Sequence, residues 1–221
     1  MPPPGQDSPA VLDLSVRNNT LPLMARPREF DPEIAVDAAL DAFWGRGYEA
    51  TSLPDLLSAT GLGRQSLYNA FGDKRALFLR CLRRFADAGV GSLAAALATG
   101  PVRQAIRALF ERTVALPENE LRRGCFLLNS AAEIGARDPE VARLAASTLA
   151  RQERVFADVL RRGVRAGELD LSARRVEQLA RFLMGSLQAL RIVARADPVS
   201  PALADIARTA LRAVDAAASS S

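Results

Sequence analysis

Apolar positions recur at helical spacing along nearly the whole chain, and glycine and proline punctuate the repeats. Asp31, Pro32 and Glu33 carry the signals of a helix start: an N-cap, a proline in the first turn and an acidic residue near the positive end of the helix dipole. Ile34, Ala38, Ala42 and Phe43 then form a stripe that Leu40 and Trp44 broaden, and Gly45 to Gly47 end it. A second start, "TSLPDLL", opens a short helix that closes at Gly61, a third runs from about Gly63 to Phe71, and a fourth from Asp73 to about Ala88. Longer helices are predicted at about 101–116, 122–135, 138–166, 173–196 and 201–217, bounded by Pro101, Pro117, Pro139, Pro198 and Pro201. Long β-branched runs and Asn-Gly hairpin turns are missing, so the prediction is an all-α fold. Residues 1–23, rich in proline with scattered Asp, Ser and Asn, read as a disordered tail, and Met24 as the natural start of the chain.

Two short helices joined by a tight glycine turn match a helix-turn-helix. Leu53, Leu56 and Leu57 give one an apolar side, and Leu62, Leu67 and Phe71 give the other its own. Each is too short to be stable alone, so tertiary contacts must hold it. With Leu67 and Phe71 inward, Arg64, Gln65, Ser66, Tyr68 and Asn69 are left to point elsewhere. Arg pairs with guanine, and Gln or Asn with adenine, in the major groove. The alternative reading of the same residues is an ordinary solvated helix face.

Charge sharpens the picture locally. The 221 residues carry a net charge of +4, and 49% of them are hydrophobic. Residues 24–90 are balanced, whereas residues 62–84 set Arg64, Lys74, Arg75, Arg80, Arg83 and Arg84 against Asp73 alone. Without histidine, Ser-His and Cys-His nucleophile systems are unavailable, and no phosphate-binding loop, dinucleotide motif or zinc motif occurs. The chain therefore does not read as an enzyme, and no cofactor or metal is expected. The two cysteines, Cys81 and Cys125, lack metal-ligand spacing and suggest no disulfide framework. With no signal peptide and no long apolar run, the expected location is the cytoplasm.

The stretch "AFWGRGYEATSLPDLLSATGLGRQSLYNAFGDKRALF" resembles the DNA-binding domain of TetR-family transcription regulators. The likeness lies in the aromatic and glycine closing helix one (Phe43 to Ser52), the Gly61 to Phe71 segment and the Lys74 to Leu77 segment, and it covers about residues 30–80. It implies that Thr51, Ser52, Tyr68 and Lys74 contact phosphate, with Arg26, Arg28 and Arg46 as weaker candidates. Arg64, Gln65, Ser66 and Asn69 would then lie at the bases. Gly63 departs from the usual Ser or Thr and removes one phosphate contact. The resemblance further implies an N-terminal helix-turn-helix domain (24–80, with helix four running to about 88) and a C-terminal domain (81–221). That second domain would dimerise through about residues 173–217 and hold a small-molecule inducer, while the dimer reads a palindromic operator in double-stranded DNA.

Within the second domain, Leu179, Phe182, Leu183, Ser186, Leu187 and Leu190, followed by Ala202, Ile206, Ala210 and Val214, form the candidate dimer face. The alternative is an intramolecular core. Asn129 and Glu133, four apart on an apolar helix, are candidate ligand anchors, since a buried polar pair must find partners. Phe110, Thr113, Phe126, Phe156, Met184 and Gln188 are candidate pocket walls. Cys125 follows Arg122 and Arg123, whose charge would favour a reactive thiolate, so a thiol- or electrophile-sensing regulator is one alternative function. A helical protein-interaction module without DNA binding is another.

Overall fold

The computed structural model describes residues 31–218. The expected tail at 1–23 and the candidates Arg26 and Arg28 lie outside the described residues. Within these, ten helices and no strand occur, apart from one bridge between Leu169 and Ala218.

Local signals set the first three helices. α1 (Pro32–Arg46) begins where the Asp31 carboxylate accepts from the Glu33 amide, and it ends at Gly47, whose φ of 87° only glycine adopts easily. Its buried face is Ala35, Val36, Ala39 and Phe43. The sequence stripe was thus displaced, and Ile34 faces solvent. Small Ala35 and Ala39 admit the fourth helix closely enough for the Cys81 thiol to donate to the Val36 carbonyl at 3.4 Å. α2 (Leu53–Thr60) starts with a reciprocal cap between Ser52 and Asp55, and left-handed Gly61 ends it. α3 (Arg64–Phe71) follows after two residues and buries only Leu67 and Phe71.

α4 (Lys74–Ala96) is capped by Asp73 and runs eight residues past its expected end. Each interior glycine costs about 1 kcal/mol of helix propensity. Burial of Leu93 and Leu97 against the body outweighs Gly89 and Gly91. The remaining helices are α5 (Val102–Val114), α6 (Glu118–Arg123), α7 (Phe126–Ile134), α8 (Pro139–Arg165), α9 (Ala173–Ala196) and α10 (Pro201–Asp215). The helix expected at 122–135 is in fact two pieces. Gly124 breaks it with φ of 62°, and a Cβ there would stand 3.0 Å from the Arg195 side chain.

Phe110, Phe156, Leu160, Leu183, Leu187 and Leu190 anchor the body core. A separate aromatic cluster joins α1 and α4 to α7. Phe43 meets Phe78 edge-on at 5.1 Å, Trp44 meets Phe85 at 4.9 Å, and Phe126 meets both Phe78 and Phe85 at 5.7 Å. Such pairs add about 0.5–1.5 kcal/mol each beyond burial, so α1 and the body share a firm junction. Among the described residues no helix is long and apolar enough to cross a membrane.

Candidate nucleic-acid interface

α3 presents Arg64, Gln65, Ser66, Tyr68 and Asn69 to solvent together, with Tyr68 38% exposed. Gln65 Nε2 donates to Asn69 Oδ1 at 2.8 Å, a bond between neighbours one turn apart. It leaves Gln65 Oε1 and Asn69 Nδ2 as an acceptor and a donor on two exposed residues one turn apart. Gly63 gives α3 no side-chain cap. Its first amides therefore remain free of side-chain partners at the positive end of the helix.

Lys74 begins α4 beside this face. Its ammonium lies 4.5 Å above the Tyr48 ring and 3.5 Å from the Glu49 carbonyl. Burial, then the Glu49 charge, pushes the Tyr48 hydroxyl above its ordinary pKa, so the ring below Lys74 stays neutral. Ser52 is exposed, but its hydroxyl donates to Asp55 Oδ2 at 2.6 Å. That bond, more than the Arg46 ion pair, holds the Asp55 carboxyl below its usual range. Arg46 is thus engaged with Asp55. Thr51 stands apart from the exposed set: it is fully buried and donates to the Gly47 carbonyl at 2.6 Å. Its position just after the α1 turn makes it a lock on that turn rather than a surface donor.

The basic run at 62–84 is also less free than its tally suggests. Arg75 holds Asp138 at 2.7 Å and Glu140 at 3.0 Å, and Arg83 holds Glu140 as well. Arg80 pairs with Glu33, and Arg84 with Glu33 and Asp37. These arginines fasten α4 to α1 and α8. Arg64 and Lys74 are the cations of this run without an ion pair among the described residues. Arg75 donation lowers Asp138 to about 2 and raises the Arg75 guanidinium above its ordinary value.

A cavity of about 580 Å³ opens in the body. Thr113, Gln188 and Cys125 line it, as does Trp44 from α1, with Phe85, Thr148 and Gln152. Other wall candidates lie elsewhere. Phe110 and Phe156 are fully buried in the body core, and Met184 packs against it. Phe126 belongs to the aromatic junction. Asn129 and Glu133 lie outside this cavity and border a smaller hollow of about 220 Å³ beside the end of α1. Both are engaged within the protein, Asn129 Nδ2 donating to the Arg123 carbonyl at the end of α6 at 2.9 Å. Glu133 accepts from the backbone amides of Tyr48 at 3.0 Å and Glu49 at 2.9 Å. The cations beside Cys125 are engaged too. Arg122 pairs with Glu118, and Arg123 with Asp41 while lying 3.9 Å over the Trp44 ring. The sequence did not point to Trp44, Phe85, Thr148 or Gln152 as cavity residues. The chain's single tryptophan, on the apolar side of the first predicted helix, was the available signal.

Much of the candidate dimer face is protomer core, since Leu183, Leu187, Leu190, Ala210 and Val214 are buried within the chain. Phe182 stays 44% exposed beside Gly185, Ala189 and Ile206 around an open hollow of about 500 Å³.

A polar reading helix held by a glycine turn, on a cavity-bearing helical body, defines a helix-turn-helix transcriptional regulator. Residues 35–81 match the family described as bacterial regulatory proteins, tetR family, and residues 102–211 match the tetracyclin repressor-like C-terminal domain. The chain is 36% identical over 194 residues to YezE, an uncharacterized HTH-type transcriptional regulator of Bacillus subtilis (strain 168), covering 87% of this chain and 100% of that protein. It is 33% identical over 190 residues to the transcriptional repressor ComR of Escherichia coli (strain K12), covering 85% and 90%. Among solved structures it resembles CifR, a TetR-family regulator seen as a cysteine mutant with 26-base-pair operator DNA. The TM-score there is 0.70 and the identity 33%, over 85% of this chain and 98% of CifR. The chain belongs to the TetR family of transcriptional regulators. It is a DNA-binding regulator and not an enzyme, and the thiol-sensing and interaction-module alternatives are not favoured.

Proposed function

We propose that this protein is a homodimeric repressor that a small molecule releases from a palindromic operator. The exposed Arg64, Gln65, Ser66, Tyr68 and Asn69 face of α3 carries the reading. Arg64, Gln65, Ser66 and Asn69 read base edges, while Tyr68, Lys74 and Ser52 hold phosphates, Ser52 after giving up its bond to Asp55. Residues 24–80 form the reading domain and 81–221 the sensing and dimerising domain. The inducer occupies the 580 Å³ cavity. A second copy covers the patch around Phe182, Gly185, Ala189 and Ile206 on α9 and α10, which pairs two reading heads for two half-sites. The protein acts in the cytoplasm, where its DNA target lies.

Titrating a labelled duplex from the DNA flanking the protein's own gene, with random DNA as control, at two salt concentrations tests this. Tight, salt-sensitive binding that prefers the native duplex is expected. Equal weak binding to both duplexes, unchanged by Lys74→Ala, would refute the assignment of the interface.

A further inference from the structure

The deepest polar groups of the cavity are all uncharged: Thr148, Gln152 and Gln188 are each more than nine-tenths buried. The charged groups on its wall are engaged or wet. Arg123 is paired with Asp41, Glu120 is exposed, and Arg191 is half-buried. The hydroxyls of Thr113 and Thr148 have given their protons to the Leu109 and Leu144 carbonyls at 2.8 and 2.7 Å, so they offer acceptors only. Gln188 Nε2 donates to Gln152 Oε1 at 2.7 Å. Two ends of this bonded pair are left over. Gln188 Oε1 is buried with no partner, and Gln152 Nε2 makes no hydrogen bond among the described residues. Gln152 Nε2 would lie 4.0 Å from a Cβ on Gly89, itself a cavity residue.

A buried oxygen without a donor asks for one from whatever fills the space beside it. An ether, ketone or carboxylate brings no donor. An ammonium brings donors, but also a charge that no buried carboxylate here would balance. A hydroxyl donates and accepts at one atom, and so serves the pair in either orientation of its amides. We propose that the cavity takes an uncharged, largely apolar alcohol or phenol whose hydroxyl seats on the Gln152–Gln188 pair. This rests on the reading of the cavity as the inducer site.

The test uses the intact protein and its one tryptophan, Trp44, which lines the cavity and reports occupancy by fluorescence. Phenylbutanol, its methyl ether and phenylbutyrate are titrated in parallel. The alcohol is expected to bind about tenfold tighter than either analogue. Gln188→Leu should remove that preference. The double variant Gln152→Leu/Gln188→Leu, which orphans neither amide, serves if the single one loses helicity. Equal affinity for alcohol and ether, tighter binding of the carboxylate, or no binding by any of the three overturns the inference. Operator release is measured with the same compounds. An alcohol preference without release upholds the ligand class and refutes the inducer reading. Release by the ether or carboxylate at concentrations where the alcohol is inactive does the reverse.

Discussion

Glu133→Ala removes both acceptors that hold the turn between α1 and α2. The Glu133 carboxylate takes the Tyr48 amide at 3.0 Å, which is half-buried, and the Glu49 amide at 2.9 Å, which is exposed. A hydrogen bond to a charged group contributes about 1.5–3 kcal/mol when sheltered and less when wet, so the pair is worth roughly 2–4 kcal/mol. For a chain of this size that corresponds to a fall in melting temperature of about 5–15 °C. Stability is read by thermal circular dichroism, and amide exchange at Tyr48 and Glu49 locates the effect. Both amides should exchange faster in the variant while the α5 and α9 amides keep their protection. Gly47→Ala approaches the same contact from the other side, because a Cβ there would stand 2.8 Å from Glu133 Oε2 at a φ of 87°. It should loosen the same two amides. A Glu133→Ala melting point within about 1 °C of wild type, with unchanged exchange at Tyr48 and Glu49, would refute the claim that this carboxylate ties α7 to the reading head.

Other expectations are separable. Lys74→Ala and Tyr68→Phe should weaken binding to every DNA sequence, whereas Gln65→Ala should change sequence preference by about 1–3 kcal/mol; equal losses on operator and random DNA for Gln65→Ala would sink its base-reading role. Asp138, held at about 2 by Arg75, has a folded pKa below its ordinary value, so its contribution is present above about pH 4 and is lost as pH falls through about 2. Asp138→Asn should therefore flatten the acid limb of the melting profile, and an unaltered limb would count against the tether. Burial pushes the Cys81 thiol up to about 12, which keeps it protonated and inert. Iodoacetamide at about pH 8 should leave Cys81 unlabelled until denaturant is added, and modification in the folded protein would contradict this burial.

Where the sequence was readable, the signal was local. Asp31-Pro32, the "TSLPDLL" start and Gly61 each mark a helix end through residues only a few positions apart, and the structure makes Ser52 the cap of the second. The exposed α3 residues followed once Leu67 and Phe71 were placed inward. What escaped the sequence depends on distant partners. The fourth helix read as ending at about Ala88, yet Leu93 and Leu97 carry α4 onward past Gly89 and Gly91 by packing on the body. Asn129 and Glu133 were visible as a polar pair, but not that their partners are the Arg123 carbonyl and the amides of residues 48 and 49. The cavity gathers residues from Trp44 to Leu203, a set that no sequence period links. The pairing of the basic run was hidden for the same reason, since Glu33, Asp37, Asp138 and Glu140 come to it from α1 and the start of α8.

Trp44 belongs to both halves of the molecule and therefore tests how they communicate. It sits on α1, yet its indole N–H donates to the Arg123 carbonyl at 3.0 Å, and its ring makes a T-shaped contact with Phe85 in the cavity wall. The same carbonyl accepts from Asn129, so α1, α6 and α7 converge on one oxygen. A ligand pressing on Trp44 must either leave that bond intact or move α1, which leads directly into the turn that Glu133 holds. A ligand shifts the reading head only by its difference in affinity for the two arrangements. Coupling of this kind amounts to about 1–3 kcal/mol. Trp44→Phe keeps an aromatic ring against Phe85 but deletes the N–H. Operator affinity without ligand should stay within about threefold of wild type, while ligand-induced weakening should shrink by about tenfold. Anisotropy of a labelled operator, with and without phenylbutanol, measures both quantities. An undiminished ligand effect in Trp44→Phe would show that the signal leaves the cavity by another route, with α4 the remaining continuous connection from the cavity wall to Lys74.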